Sequence, residues 1–205
     1  MRLAALAIFA FSAPAEIIDR IAVSVEKRVI TESEILRNIR ITAFLNQEEP
    51  DLSPASKRAM ADRLVEQLFI RRELEGSGYP AAPPDVSSDY KQIRQRFKDD
   101  DEYRKALTAA QITDADVQEA LQWQATLLNF VEQRFRPGVQ IPASEIREYY
   151  DTQIAQNPGK LPPFEEAKEE IESILTSQRV DNALDRWLGQ ARTQAQMRYR
   201  EEVFQ

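Results

Sequence analysis

The residues best placed to do chemistry in this sequence are carboxylates. Asp99-Asp100-Asp101-Glu102 and the run from Glu165 to Glu170 (EEAKEE) each gather several of them, as a calcium site or a general acid–base pair requires. Each run also has a plainer reading. The first opens an expected helix, where negative charge complements the macrodipole. The second is a polar helix face with Lys168 set among the acids, and neither has the central Gly of an EF-hand loop. Nothing else widens the repertoire, because the 205 residues include no His and no Cys. Thiolate nucleophiles, imidazole bases and zinc sites built from either are therefore excluded. Five Gly, with no Walker-type or G-x-G-x-x-G string, leave no backbone cradle for nucleotide phosphates. The expectation is a chain with no catalytic, metal or cofactor residues, and Tyr149-Tyr150 reads as core plus interface.

Apolar contact is the more informative chemistry. Between Thr113 and Phe135, Val117, Leu121, Leu128, Val131 and Phe135 form one stripe at helical spacing, and Ala120, Trp123, Leu127 and Phe130 form a second beside it. A helix apolar over more than one narrow face is either central in a bundle or keeps a face for a ligand. In the second case Trp123, Leu127 and Phe130 line a groove for a client peptide, since large aromatics give contact area at low entropic cost. Phe97, Tyr103 and Leu107 either rim that groove or seal a short helix onto its neighbour. Phe44 and Leu45 read as an apolar cap at one end of the bundle.

Helices must position these residues. Thr31-Glu32-Ser33-Glu34 is a capping-box string that predicts a helix from Glu32 to Asn46, with Ile35, Ile39 and Ala43 inward. Ser53-Pro54 starts another, which stops at Gly76-Ser77-Gly78. Tyr79 to Val86 is a stiff connection leading to an amphipathic segment that ends at Phe97. A short helix follows the acidic run, and Thr113 to Asp116 caps the next, which ends before Pro137-Gly138. Further helices cover Ala143 to Ala155 and Phe164 to Gln194. The second carries a seam that includes Ala167, Ile171, Leu175, Trp187, Leu188 and Ala191. At the two ends the period changes to two. Ile21, Val23 and Val25 share one face, Glu26-Lys27-Arg28 turns, and Val29-Ile30 resumes the apolar pattern. Met197 and Tyr199 alternate likewise, and an isolated hairpin is marginal. The fold class is therefore mainly α, closed by one small sheet of the N-terminal hairpin and the C-terminal strand.

Arg2, the apolar run Leu3 to Phe11 and Ala13-Pro14-Ala15 read as a secretory signal cleaved after Ala15. The run is shorter than the roughly 20 residues that span a bilayer. Without Arg2 the formal net charge of −7 becomes −8, with 34 acidic residues unchanged. That balance opposes binding to nucleic acid and to anionic membrane surfaces. The expected location is the periplasm or another exported compartment, with no stable membrane insertion.

Five stretches in order resemble the chaperone part of SurA-type periplasmic proteins and, more loosely, PrsA-type foldases. They are IIDRIAVSVEKRVITESEIL (Ile17 to Leu36), RLVEQLFIRRELEGSGY (Arg63 to Tyr79), EYRKALTAAQITDADVQEALQWQATLLNFV (Glu102 to Val131), IPASEIREYYD (Ile141 to Asp151) and the long helix from Phe164. The resemblance spans nearly all of residues 16–205, read as one chaperone domain. It departs from the family at Gln156 to Pro163, where members carry a parvulin prolyl-isomerase domain of roughly a hundred residues, the size of a whole domain. It also departs at Pro142, where a Ser or Thr cap is common.

What the resemblance implies is ATP-independent holding of unfolded clients, outer-membrane proteins among them, without prolyl-isomerase activity. A peptidyl-prolyl isomerase label would be inherited from relatives. The alternative is an interaction or assembly subunit that turns the same apolar face to one folded partner or to a second copy as a homodimer.

Overall fold

The computed structural model describes residues 19–76, 83–156, 159 and 162–205. The expected signal segment therefore lies outside the described residues, as do positions 157, 158, 160 and 161 of the expected linker.

Among the described residues the chain is mainly helical, with one three-stranded antiparallel sheet. Ile21–Val25 (β1) is the central strand, flanked by Arg28–Thr31 (β2) and by Met197–Tyr199 (β3). A two-residue turn joins β1 to β2, and β1 pairs with β3 through Val23↔Tyr199, Ser24↔Arg198 and Val25↔Met197. Glu26, in that turn, has a left-handed φ of 51°, which costs a non-glycine residue about 1–2 kcal/mol. Two contacts hold it there. Its N–H donates to the Gln196 carbonyl at 2.9 Å, and its carboxylate accepts from Arg72 at 3.0 Å.

One sequence expectation fails in β1. The register shifts between Ile21 and Val23, and such a bulge changes the phase of the alternation. Ile21 is consequently exposed, while Ala22 and Val23 are both fully buried.

The helices are Glu32–Asn46 (α1), Pro54–Gly76 (α2), Ser87–Arg94 (α3), Asp100–Ala110 (α4), Asp114–Arg134 (α5), Ala143–Gln156 (α6) and Phe164–Gln194 (α7). Their starts follow local chemistry. Thr31 Oγ1 accepts from the Glu34 amide, and Ser53 Oγ from that of Ser56. Asp99 caps α4, so the first acidic run serves the helix start. Thr113 and Asp116 form a complete capping box on α5. At α6 the Pro142 carbonyl accepts from the Glu145 and Ile146 amides. The second acidic run lies on α7 with Glu165, Glu166, Glu169 and Glu170 exposed.

Three apolar clusters organise these elements. The first packs the sheet, through Val23, Val25 and Ile30, against α2, the second half of α5 and the last turns of α7. Fully burying a residue of this size contributes roughly 1.5–3 kcal/mol. The second cluster joins Ile41 and Leu45 of α1 to α3, α4 and the first half of α5. The third is confined to α6 and the first half of α7, around Ile146, Tyr150, Ile171 and Leu175. It is fastened by Arg179, which donates to the Gln140 carbonyl and to Glu145, and by the Tyr150 hydroxyl, which donates to the Pro162 carbonyl. At 1.5 Å per residue α7 is about 46 Å long, long enough to belong to both the first cluster and the third.

Candidate binding groove

Three helices line one concavity of about 460 Å³. Helix α1 contributes Glu34, Arg37, Asn38, Ile41, Thr42 and Leu45. Helix α2 contributes Met60, Arg63, Leu64, Gln67, Leu68 and Arg71, and α5 contributes Asp116, Glu119, Ala120, Trp123, Gln124 and Leu127. In each helix the spacing is i, i+3, i+4, i+7, i+8, i+11, so each presents one continuous face of three turns. Apolar residues (Ile41 and Leu45, Leu64 and Leu68, Trp123 and Leu127) are interspersed with polar ones along each face, and Ile30 of β2 joins the apolar lining, so apolar floor and charged rim share the concavity.

The rim is not uniform. Arg63 and Arg71 stand on the α2 wall, and Asp116 and Glu119 on the α5 wall. Arg37 and Asp116 pair at 3.6 Å. The Arg71 guanidinium lies 4.2 Å from the centre of the Trp123 ring, a cation–π contact across the groove. Among the described residues Arg63 and Glu119 make no ion pair. Trp123 and Arg71 also line a smaller cleft with Leu74, Pro83 and Thr126, so the indole forms a ridge between two depressions.

Of the six residues expected from the sequence to contact peptide, the structure brings Trp123 and Leu127 into this groove. The other four are corrected. Phe130 is 1% exposed and lies in the first core cluster, with ring centroids 5.8 Å from Phe135 and 5.7 Å from Trp187. Seven positions beyond Trp123, that part of α5 turns the same flank onto α7, which covers it. Tyr103 and Leu107 are buried in the second cluster. Phe97 stacks on Phe44 at 5.9 Å and meets Tyr103 edge-on at 5.3 Å. These residues seal α4 onto α1, the plainer of their two readings. Leu128, expected on an inward stripe, is 62% exposed.

Behind that seal, Tyr90 and Tyr103 each donate a hydroxyl hydrogen bond of 2.7 Å to Asp114 Oδ1, and Gln118 donates to Oδ2. Burial pushes both tyrosines above the ordinary phenol value, and the Asp114 carboxylate reinforces the shift. For Asp114, burial pushes upward but the hydrogen bonds from Tyr90, Tyr103 and Gln118 outweigh it. Its carboxyl is held below the usual range. The cluster joins α3, α4 and the first turns of α5.

Sequence reasoning missed the α1 and α2 contributions. Their signal was present as i+3/i+4 faces in which apolar floor residues alternate with Arg37, Arg63 and Arg71. No family model matches the chain, and no curated protein matches it.

Proposed function

We propose that this chain is an ATP-independent chaperone that holds non-native polypeptide segments in the groove between α1, α2 and α5. The observation that carries the reading is the half-buried Trp123, set with Leu127 in an open concavity with an apolar floor. A half-buried aromatic in a preformed groove is the usual anchor for a peptide. The order of motifs that resembles the SurA family adds its support, and with it the assignment to the periplasm and to clients such as unfolded outer-membrane proteins. Capture and release then depend on weak contacts to one or two anchors and need no nucleotide. The chain performs no prolyl isomerisation, since the resemblance lacks the parvulin domain at Gln156 to Pro163. Among the described residues no helix is long and apolar enough to cross a membrane.

Light scattering tests this directly. Residues 16–205 at modest excess should delay aggregation of an unfolded outer-membrane protein diluted from urea, with no nucleotide present. Trp123→Ala should lose most of that delay while keeping its far-UV circular dichroism. Failure of the unmodified chain to delay aggregation sinks the reading, and a stoichiometric complex with one folded protein would replace it with an assembly role. A proline-containing test peptide should isomerise no faster with the protein than without it.

A further inference from the structure

The groove is walled entirely by helices apart from Ile30, and this bears on the form of its occupant. Main-chain N–H and C=O groups in a helix wall already bond within their own helix. An extended segment laid in such a groove finds no strand edge along its length, and its own main-chain groups find partners only among rim side chains. One of these, the Asn38 amide, is already engaged with the Glu34 carbonyl at 2.9 Å. A helical segment arrives with its main chain satisfied and needs the groove only for side chains. Each wall face covers eleven helical steps, about 16 Å, which matches three turns of a fourth helix.

Charge narrows the occupant further. With Asp116 engaged by Arg37 and Thr113, and Arg71 lying over Trp123, the charges of these two walls left without an ion pair or ring contact among the described residues are Arg63 on the α2 wall and Glu119 on the α5 wall. An apolar stripe with acidic residues on one flank and basic residues on the other meets both walls. Turning such a helix end for end exchanges its flanks, so one running direction places acids against α2 and bases against α5. The reverse direction places like charges together. The rim therefore selects a bipolar helix and also orients it.

Building on the capture reading, we infer that the groove accepts an amphipathic helix of a partner polypeptide, about three turns long, with one acidic and one basic flank. Within a client, the segment taken up here is then one able to form helix transiently.

Fluorescence anisotropy with four labelled 14-residue peptides on residues 16–205 tests it. All four carry Leu at i, i+3, i+7 and i+10. One has bipolar flanks, one has two acidic flanks, one has two basic flanks, and the last is the bipolar sequence with a central proline. The bipolar peptide should bind about tenfold more tightly than either single-sign peptide at low salt, a gap that shrinks as salt rises. It should gain helical circular dichroism on binding, and the proline version should bind weakly. Glu119→Arg, an exposed change, should move the preference to the doubly acidic peptide. Equal binding of the proline version, or of all four peptides, overturns the helical inference and leaves capture standing. Binding of an unfolded aromatic-rich chain but of none of the four does the same. If neither the peptides nor an unfolded chain bind, the capture reading fails as well. A dimer in sedimentation that Trp123→Ala dissolves would make a second copy the occupant and overturn the inference.

Discussion

Truncating Phe130 separates a core role from a binding role for the aromatic residues of α5. Its ring is 1% exposed and closes a three-ring cluster with Phe135 and Trp187. Phe130→Ala should therefore cost about 3–5 kcal/mol of stability, the range for deleting a buried ring and leaving a cavity. For a chain of this size that corresponds to a fall in Tm of roughly 6–20 °C. Trp123→Ala, at a half-buried indole whose main added contact is Arg71, should cost well under half as much, about 1–2 kcal/mol. Urea denaturation followed by fluorescence measures both, since the chain has only two Trp. In Phe130→Ala the remaining native emission of Trp187 should also shift, because a ring packed on it is gone. The complementary pattern is expected in the aggregation assay. Phe130→Ala at low temperature, still folded, should hold clients nearly as well as the unmodified chain. A stability loss below about 1 kcal/mol for Phe130→Ala, combined with loss of holding activity, would refute the packing argument and return Phe130 to the groove.

Three other outcomes follow from single contacts. Asp114 has a folded pKa held below its unfolded value, so its contribution is present above about pH 4 and is lost as pH falls through the folded value. The stability gap between the unmodified chain and Asp114→Asn, read by urea titration, should narrow from pH 5 to pH 2; a gap constant with pH contradicts this. Gln111 ends α4 in the left-handed conformation, with φ 56°, where glycine carries no steric penalty. Gln111→Gly should raise stability by about 0.5–1 kcal/mol in the same titration, and a loss would count against the cap geometry. Phe204 is 7% exposed beside Tyr199, with Arg58 over both rings. Phe204→Ala should lower stability by about 2–4 kcal/mol, and a neutral result would show that the final 3-10 turn is not part of the core.

The helical plan was legible in the sequence because its signals are local. Thr31 and Asn46 bound α1, and Phe164 and Gln194 bound α7, at the residues that capping chemistry and periodicity indicate. The pairing of the two chain ends was also legible, since a lone hairpin cannot bury its inward face. What local signals could not decide was which flank of an amphipathic helix meets which neighbour. Trp123 and Phe130 lie on one stripe of α5, and the path of α7 across the second half of that helix separates the half-buried member from the buried one. The displaced phase of Ile21 has the same character, because a bulge is set by pairing with Thr31 and leaves no mark in the alternation. Val203 and Phe204, buried in the final turn, follow a strand too short for its continuation to be read.

The central position of β1 also bears on how the sheet can assemble. Its partner on one side, β2, is available almost at once, whereas its partner on the other side, Met197–Tyr199, comes from nearly the far end of the described chain. Contacts of such long sequence separation form late and slowly, because loop closure must precede them. During synthesis the helices can form and the α1–α2 pair can collapse while the free edge of β1 waits for its cover. The first core cluster includes Val203 and Phe204 as well, so it is complete only once residue 204 has been made. A version truncated before Met197 should accumulate as a partly collapsed species with a free strand edge.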